Sequence, residues 1–435
     1  MRYDIVKRKS DSVGCEIIQS GSVMARSARF TVVGTAAVAA TVTLMVLTSC
    51  SSDSSSGSGV GAGDPIVVGM MAPEASQVTS QPERQETARA AIEAINANGG
   101  INGHDLQLKF CDTKYDPNSE LSCMRTFIND KVSAVVSPAI TADQSGRPYE
   151  LAAQAGLPVI GGSGLTPAEM DAATSFPLGS GIPGVAYGAA DALINAGAKK
   201  ISLMGTNEPG SLYILGLSEK ALQGVGVTPT TWVKADPQAD PTFAASAALA
   251  MANGVDGIVV SSSPIFMPKE VTALRQAGYK GLISSVSSIF DEKTRDALGD
   301  KANGILVSGL LAYKSDTANP EVARYLAEMQ EYSPETDTNT ISMTTWAAFQ
   351  LFSSVMKSAD KYSSEDVLNT FNNVSTPVEL GVIGPFQVKG AKEYLPDYSR
   401  IFNPTVSSGV ITDGELVSNG QGFVNPFEPA TAAGN

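Results

Sequence analysis

The sequence predicts an α/β fold in two lobes, each a parallel sheet packed between helices. Three observations carry that prediction. Short continuous apolar runs, suited to strands buried on both faces, alternate with helical stripes. The alternation occurs as two separate series, and 435 residues exceed what one core accommodates.

The first series opens at Ile66-Val67-Val68-Gly69-Met70-Met71, a run of strand length. A polar loop, Ala72 to Pro82, follows. Ala88, Ala91, Ile92 and Ile95 then stand at i, i+3, i+4 and i+7, one stripe of an amphipathic helix. Asn98-Gly99-Gly100 ends it, because both residue types tolerate a left-handed cap. A strand at Leu106–Phe110, a helix at Ser119–Asn129 and a strand at Val132–Ser137 complete a right-handed parallel unit. The pattern continues with a helix at Gln144–Ala155, a strand at Leu157–Gly161 and, after a Gly/Pro linker at Pro177–Pro183, a helix at Gly184–Ala196. The second series has strands at Lys200–Met204, Val227–Val233, Asp256–Ser261, Leu282–Ser285 and Gly304–Gly309, with helices near Ser211, Phe243 and Lys269. Two successive helices, Val322–Glu331 and Ser342–Met356, precede late strands at Gly381–Val388 and Arg400–Val417.

The segment AIEAINANGGINGHDLQLKFCDTKYDPN, followed by DKVSAVVSP, resembles the branched-chain amino acid type of periplasmic binding protein. Those proteins are the solute receptors of ABC importers. The resemblance rests on the Ile-Asn-x-x-Gly-Gly-Ile-Asn-Gly turn with Asp-Pro-Asn after the second strand, and covers Asp64 to Pro404. It implies the two-lobed type I periplasmic binding fold with three inter-lobe crossings, placed near 177–183, 311–316 and 384–392. Lobe one is then 64–180 plus 314–388, lobe two 181–313 plus 389–425, and 426–435 a tail.

The N-terminus reads as a targeting segment. Residues 24–49 carry basic Arg26 and Arg29, then an apolar stretch ending in Leu47-Thr48-Ser49-Cys50, the order of a bacterial lipobox. Cys50 would be lipidated, and 50–63 is a Ser/Gly tether. A membrane-spanning anchor is the alternative, but such a helix needs no tether. Residues 1–23 are expected to be an upstream extension, with Met24 the true start. Cys111 and Cys123, twelve apart in an exported chain, are expected to form a disulfide. The lone His104 sits in a turn where solvent exposure is expected, and two Cys with one His leave a tetrahedral metal site incomplete. No metal and no cofactor are expected.

Formal charge is −14; without residues 1–49, which hold six Lys/Arg and three Asp/Glu, it is −17. That balance disfavours nucleic acid and anionic lipid, so the only membrane contact expected is the lipid anchor. Enzyme motifs are not apparent: there is no Gly-x-Ser-x-Gly elbow, no P-loop and a single His.

Ligands of open α/β sheets bind beyond the carboxyl ends of strands. Thr141 and Ser145, before a helix, and Ser163, in the Gly161–Thr166 loop, are candidate donors in lobe one. The resemblance adds Gly164 and Thr166 as carboxylate-holding positions. In lobe two it implies an aromatic where this chain has Ser263 and an ammonium-binding acid where it has Ser287. Glu208 is the remaining acid in those loops, and an unmet ammonium in a closed cleft costs several kcal/mol. The expected function is an extracytoplasmic, lipid-anchored, monomeric solute receptor that closes on a carboxylate or amino-acid-like ligand and delivers it to an ABC permease. The alternatives are a sensory lipoprotein of the same fold, or a branched-chain amino acid receptor that uses Glu208 for the ammonium.

Overall fold

A strand with apolar side chains on both faces needs cover on both, and that need organises lobe one. The computed structural model describes residues 63–77 and 79–428; the leader, Cys50, nearly all of the tether and residues 429–435 lie outside the described residues. Strand β1 (Ile66–Ala72) pairs in parallel with β2 (Leu106–Asp112) on one side and β3 (Ala134–Val136) on the other. Strands β4 (Val159–Ile160) and β5 (Ser175–Phe176) extend the sheet in the order β2-β1-β3-β4-β5. Ile66, Val68 and Met70 enter one apolar cluster, and Met71 enters the cluster on the opposite face. Helix α1 (Glu83–Ala97) buries Ala88, Ala91, Ile92 and Ile95 as its stripe implied, packing with α9 (Pro320–Tyr332) and α10 (Thr340–Met356). Its end is set by Gly100, at φ +65°, where a Cβ would lie 2.2 Å from the His104 carbonyl oxygen.

Helix α2 (Pro117–Asn129) is capped by Asp116, which accepts the Ser119 N–H at 2.7 Å. It covers the other face together with α3 (Arg147–Ala155). Cys111, on β2, and Cys123, on α2, are joined by a disulfide with their Cα atoms 5.8 Å apart. Opening this short loop should lower stability by about 3 kcal/mol. Urea unfolding of the Cys111→Ser/Cys123→Ser variant, compared with the oxidised chain, measures that loss directly.

His104 departs from its expected exposure. It is buried, with Nδ1 2.8 Å from the Asp64 carbonyl oxygen and its ring 5.0 Å from that of Tyr362. The turn that carries it is folded under α10's following segment, and Asn102 ties it there by donating to Ala359 O at 3.0 Å.

The second sheet has the order β12-β11-β10-β9-β8-β6-β7. Its parallel part is β6 (Ile201–Thr206), β7 (Trp232–Ala235), β8 (Gly257–Ser261), β9 (Leu282–Val286) and β10 (Leu306–Gly309). The antiparallel strands β11 (Val406–Thr412) and β12 (Glu415–Val424) close one edge. Helices α4 (Gly181–Asn195) and α5 (Pro209–Gly224) pack on one face. Helices α6 (Ala244–Ala250) and α7 (Met267–Gln276) pack on the other, with α8 (Glu292–Leu298) against α7.

Three expected strands differ, the first being 400–417, which a turn at Asp413 and Gly414 divides between β11 and β12. Residues 227–231 run as a loop into β7, because Pro229 cannot donate to a ladder. Residues 381–388 form only an isolated bridge, Val378 with Phe386, since Pro385 interrupts the pairing. The chain leaves lobe one after β5 and returns after β10 at 310–319. Late in the chain it passes from Phe402, in the lobe-one cluster, to Val406 at the start of β11. Phe386 and Phe402 hold the preceding segment in lobe one, with ring centroids 5.9 Å apart beside Phe176 and Phe371. Residues 389–402 touch both lobes: Arg400 donates to Ser175 O at 2.7 Å, whereas Tyr398 bonds Tyr213 of helix α5 and Tyr394 stacks on Phe427.

The cleft between the lobes and its loops

The loops after β3 and β4 present backbone donors, and six of them, from Thr141, Ala142, Asp143, Ser145, Gly164 and Leu165, bond carboxylates of the same lobe. Glu120, on α2 and fully buried, accepts the N–H groups of Thr141 and Ala142 at 2.9 Å each and that of Asp143 at 2.8 Å. Ser145 donates from its N–H, at 2.8 Å, and from its hydroxyl to Asp143 Oδ1, a turn that leads into α3. In the next loop Gly164 N–H donates to Glu169 Oε1 at 2.8 Å and Leu165 N–H to Oε2 at 2.9 Å. Thr166 Oγ1 accepts the Glu169 N–H at 3.2 Å, and the Gly164 carbonyl accepts from Ile182 N–H at 3.1 Å, at the start of α4. Gly162 is required here, because a Cβ would stand 1.9 Å from Glu169 Oε1. Ser163 is half-buried.

Behind both loops lies one buried polar network. Burial pushes the Glu169 carboxyl upward, opposed by the two loop N–H groups, the Tyr149 hydroxyl and the charge of Arg84. Burial lowers Arg84 to about 10 against the pull of Glu83 and Glu169. Tyr149 is held well above its usual range by burial and by the two neighbouring carboxylates, Glu169 and Glu120.

Lobe two is built from hydroxyls. Ser284 and Ser285 donate to the Ala189 and Val260 carbonyl oxygens, each at 2.7 Å, and so tie sheet to helix and strand to strand. The hydroxyls of Ser261, Ser262 and Ser263 are buried and unbonded. Glu208 precedes α5, half-buried, and accepts the Thr206 hydroxyl at 2.8 Å. Ser287 lines the cleft beside Ser288.

A further acid escaped the sequence reading. Glu270 on α7 is fully buried, and neither carboxylate oxygen has a hydrogen-bond partner of good geometry. Burial pushes it to about 8, Ser262 nearby opposes this, and the charge of Glu208 adds to it. A signal for it existed: Met267, Glu270, Val271 and Leu274 follow i, i+3, i+4 and i+7, which puts the acid inside an apolar stripe.

Between the lobes is a cavity of about 1120 Å³, reached from Thr79 and Ser80 of lobe one and Ser287 and Phe290 of lobe two. The second crossing and the start of α10 give it an apolar wall of Leu310, Leu311, Ile341 and Met343. Three cations, Lys293, Arg295 and Lys314, line it together with six acids, Glu83, Asp291, Glu292, Asp296, Asp337 and Glu415. Arg295 is buried and donates to Phe290 O at 2.8 Å and Gly414 O at 2.6 Å, whereas Lys293 and Lys314 are exposed. Of the eight expected ligand residues, Ser287 lines this cavity; Thr141, Ser145, Ser163, Gly164, Thr166, Glu208 and Ser263 lie outside its lining.

Two parallel-sheet lobes joined by three crossings around a cleft define the type I periplasmic binding fold. Residues 65–395 match the family model described as periplasmic binding protein, and the chain belongs to that family of extracytoplasmic solute-binding proteins. Among solved structures it is similar to an extracellular ligand-binding receptor from Verminephrobacter eiseniae, with a TM-score of 0.66 at 19% identity, covering 81% of this chain and 99% of that one. A fatty acid ABC transporter substrate-binding protein from Thermomonospora curvata gives 0.67 at 14% identity, over 86% and 97%. A branched-chain amino acid transporter substrate-binding protein from Streptococcus pneumoniae, in complex with isoleucine, gives 0.61 at 17%, over 81% and 97%. These identities speak to the fold alone. No curated protein matches the chain in sequence. Among the described residues, no helix is long and apolar enough to cross a membrane.

Proposed function

We propose that this chain is a lipid-anchored receptor that captures an apolar-bodied carboxylate without an α-ammonium group and hands it to an ABC permease. The observation that carries this reading is the absence of both zwitterion handles from the loops expected to supply them. In lobe one, the loop N–H groups are taken by Glu120 and Glu169. In lobe two, hydroxyls stand where an ammonium needs an acid, and neutral oxygens meet a cation less well than a carboxylate does. What the cleft offers is an apolar wall at Leu310, Leu311, Ile341 and Met343, with Lys293 and Lys314 in a lining that also carries six acids. An acid head at the lysines with its body on that wall uses both. The Thermomonospora curvata protein of the same fold, a fatty acid receptor by its description, is consistent with such a ligand. Anchoring at Cys50 is supported by Leu47-Thr48-Ser49-Cys50 and the Ser/Gly tether after it.

Binding would proceed by hinge closure, the ligand favouring the closed form by its differential affinity. A micromolar Kd corresponds to about 8 kcal/mol, within reach of one charge-assisted contact plus apolar burial. Leucine and 4-methylpentanoate differ only in the amino group, so calorimetry with the pair tests the reading. We expect binding of 4-methylpentanoate or longer alkyl carboxylates and none of leucine. Tight leucine binding that Glu208→Gln abolishes would sink it and make Glu208 the ammonium ligand.

A further inference from the structure

We propose that the Gly164–Leu165 turn is an anion-binding nest filled by the chain's own Glu169 carboxylate, and that Glu169 is thereby the specificity-determining residue that denies this loop to a ligand carboxylate. The inference rests on reading the cleft as the solute site and explains why the lobe-one loop is closed to zwitterions.

Two consecutive N–H groups converge on one carboxylate, one on each oxygen, at 2.8 and 2.9 Å. Gly164, at φ +66°, provides the left-handed step that turns successive N–H groups toward a single anion. Glu169 stands five residues further along and its own N–H is held by Thr166 Oγ1, so the carboxylate reaches back under the turn. Room for it exists only because position 162 lacks a Cβ. Leu165 is 41% exposed while Glu169 is 3% exposed, so the nest is plugged from the protein side, with the turn's outer face toward solvent. Arg84 and Tyr149 complete its surroundings and keep the carboxylate's other contacts polar. The loop after β3 repeats the arrangement with a different donor set, three N–H groups on Glu120 from α2. A ligand carboxylate arriving at either loop therefore finds the N–H groups of Thr141, Ala142, Asp143, Gly164 and Leu165 already bonded, with a like charge behind them.

Chemical rescue tests the assignment. Glu169→Ala vacates the nest and should lower Tm; acetate should then raise the variant's Tm in a saturable, millimolar manner, while leaving the wild type unmoved. Equal ionic strengths of chloride serve as the control. Acetate acting no better than chloride on the folded variant would overturn the proposal. Should Glu169→Ala fail to fold, Glu169→Gln carries the test through its amide spectrum. The Gly164 and Leu165 N–H resonances should move upfield as charge-assisted bonds are lost, and unchanged resonances refute the nest. Neither readout involves the transported solute, so a wrong ligand class and a wrong nest give different results.

Discussion

Replacing Glu270 with Gln should stabilise the protein increasingly as pH rises, by up to about 5 kcal/mol at pH 8 relative to wild type. Glu270 is fully buried, its carboxylate oxygens lack good hydrogen bonds, and burial with the nearby Glu208 charge raises it from 4.5 to about 8. The unfolded chain loses this proton near pH 4.5, whereas the folded chain keeps it to about pH 8. Between those values the native state binds more protons, so stability is fully present below pH 4.5 and falls as pH rises to 8. Gln resembles the neutral acid in shape and cannot ionise, so this part of the slope should vanish. Urea unfolding at pH 4.5, 6 and 8 reads the difference. Parallel profiles for the two proteins would show that Glu270 is ionised or solvated in the native state.

Glu120→Ala should destabilise the chain by about 3 kcal/mol or more. Three N–H groups depend on this side chain, and an unmet buried donor costs about 1–3 kcal/mol. Thr141 and Ala142 are half-exposed, so water can replace the carboxylate for those two, while Asp143 is buried and loses its partner outright. The estimate therefore sits at the lower end of the summed range. Glu120→Gln is the informative companion. An amide supplies one acceptor oxygen but turns an NH₂ toward either the Asp143 N–H or the Thr141 and Ala142 pair, so it should rescue little. Full stability in Glu120→Gln would mean that the loop does not rely on a two-oxygen acceptor.

The anion nests show how donors and acceptors differ in legibility. Thr141, Gly164 and Thr166 were recognisable as donor-rich turns, since glycine and hydroxyl residues between a strand and a helix leave N–H groups unpaired. Their acceptors were not recognisable. Glu120 stands on another helix, and Glu169 looks like an ordinary surface acid three residues past Thr166. In lobe two the same limit applied to the serines. Nothing local separates Ser284 and Ser285, whose hydroxyls bond carbonyls of neighbouring elements, from Ser262 and Ser263, whose buried hydroxyls have no partner. Glu270 could have been found from its place in an apolar stripe, whereas its nearness to Ser262 and Glu208 could not.

What the sequence alone determined is local in origin. The apolar run of β1 required cover on both faces, the α1 stripe required a core on one side, and the Cys111–Cys123 spacing suited one strand and the next helix. Periodicity sets these because each depends on residues a few positions apart. The capping box of Ser363 and Asp366 at helix α11 (Ser364–Asn372) belongs to the same class. The tertiary structure alone decided the packing of Phe402 on Phe386, the burial of His104 and the occupancy of the lobe-one loops. Each of these turns on which distant group arrives within hydrogen-bonding or packing distance: Phe402 against Phe386, Asp64 at His104, Glu120 at Asp143. A chain displays its donors in order, but only folding brings the acceptors to them.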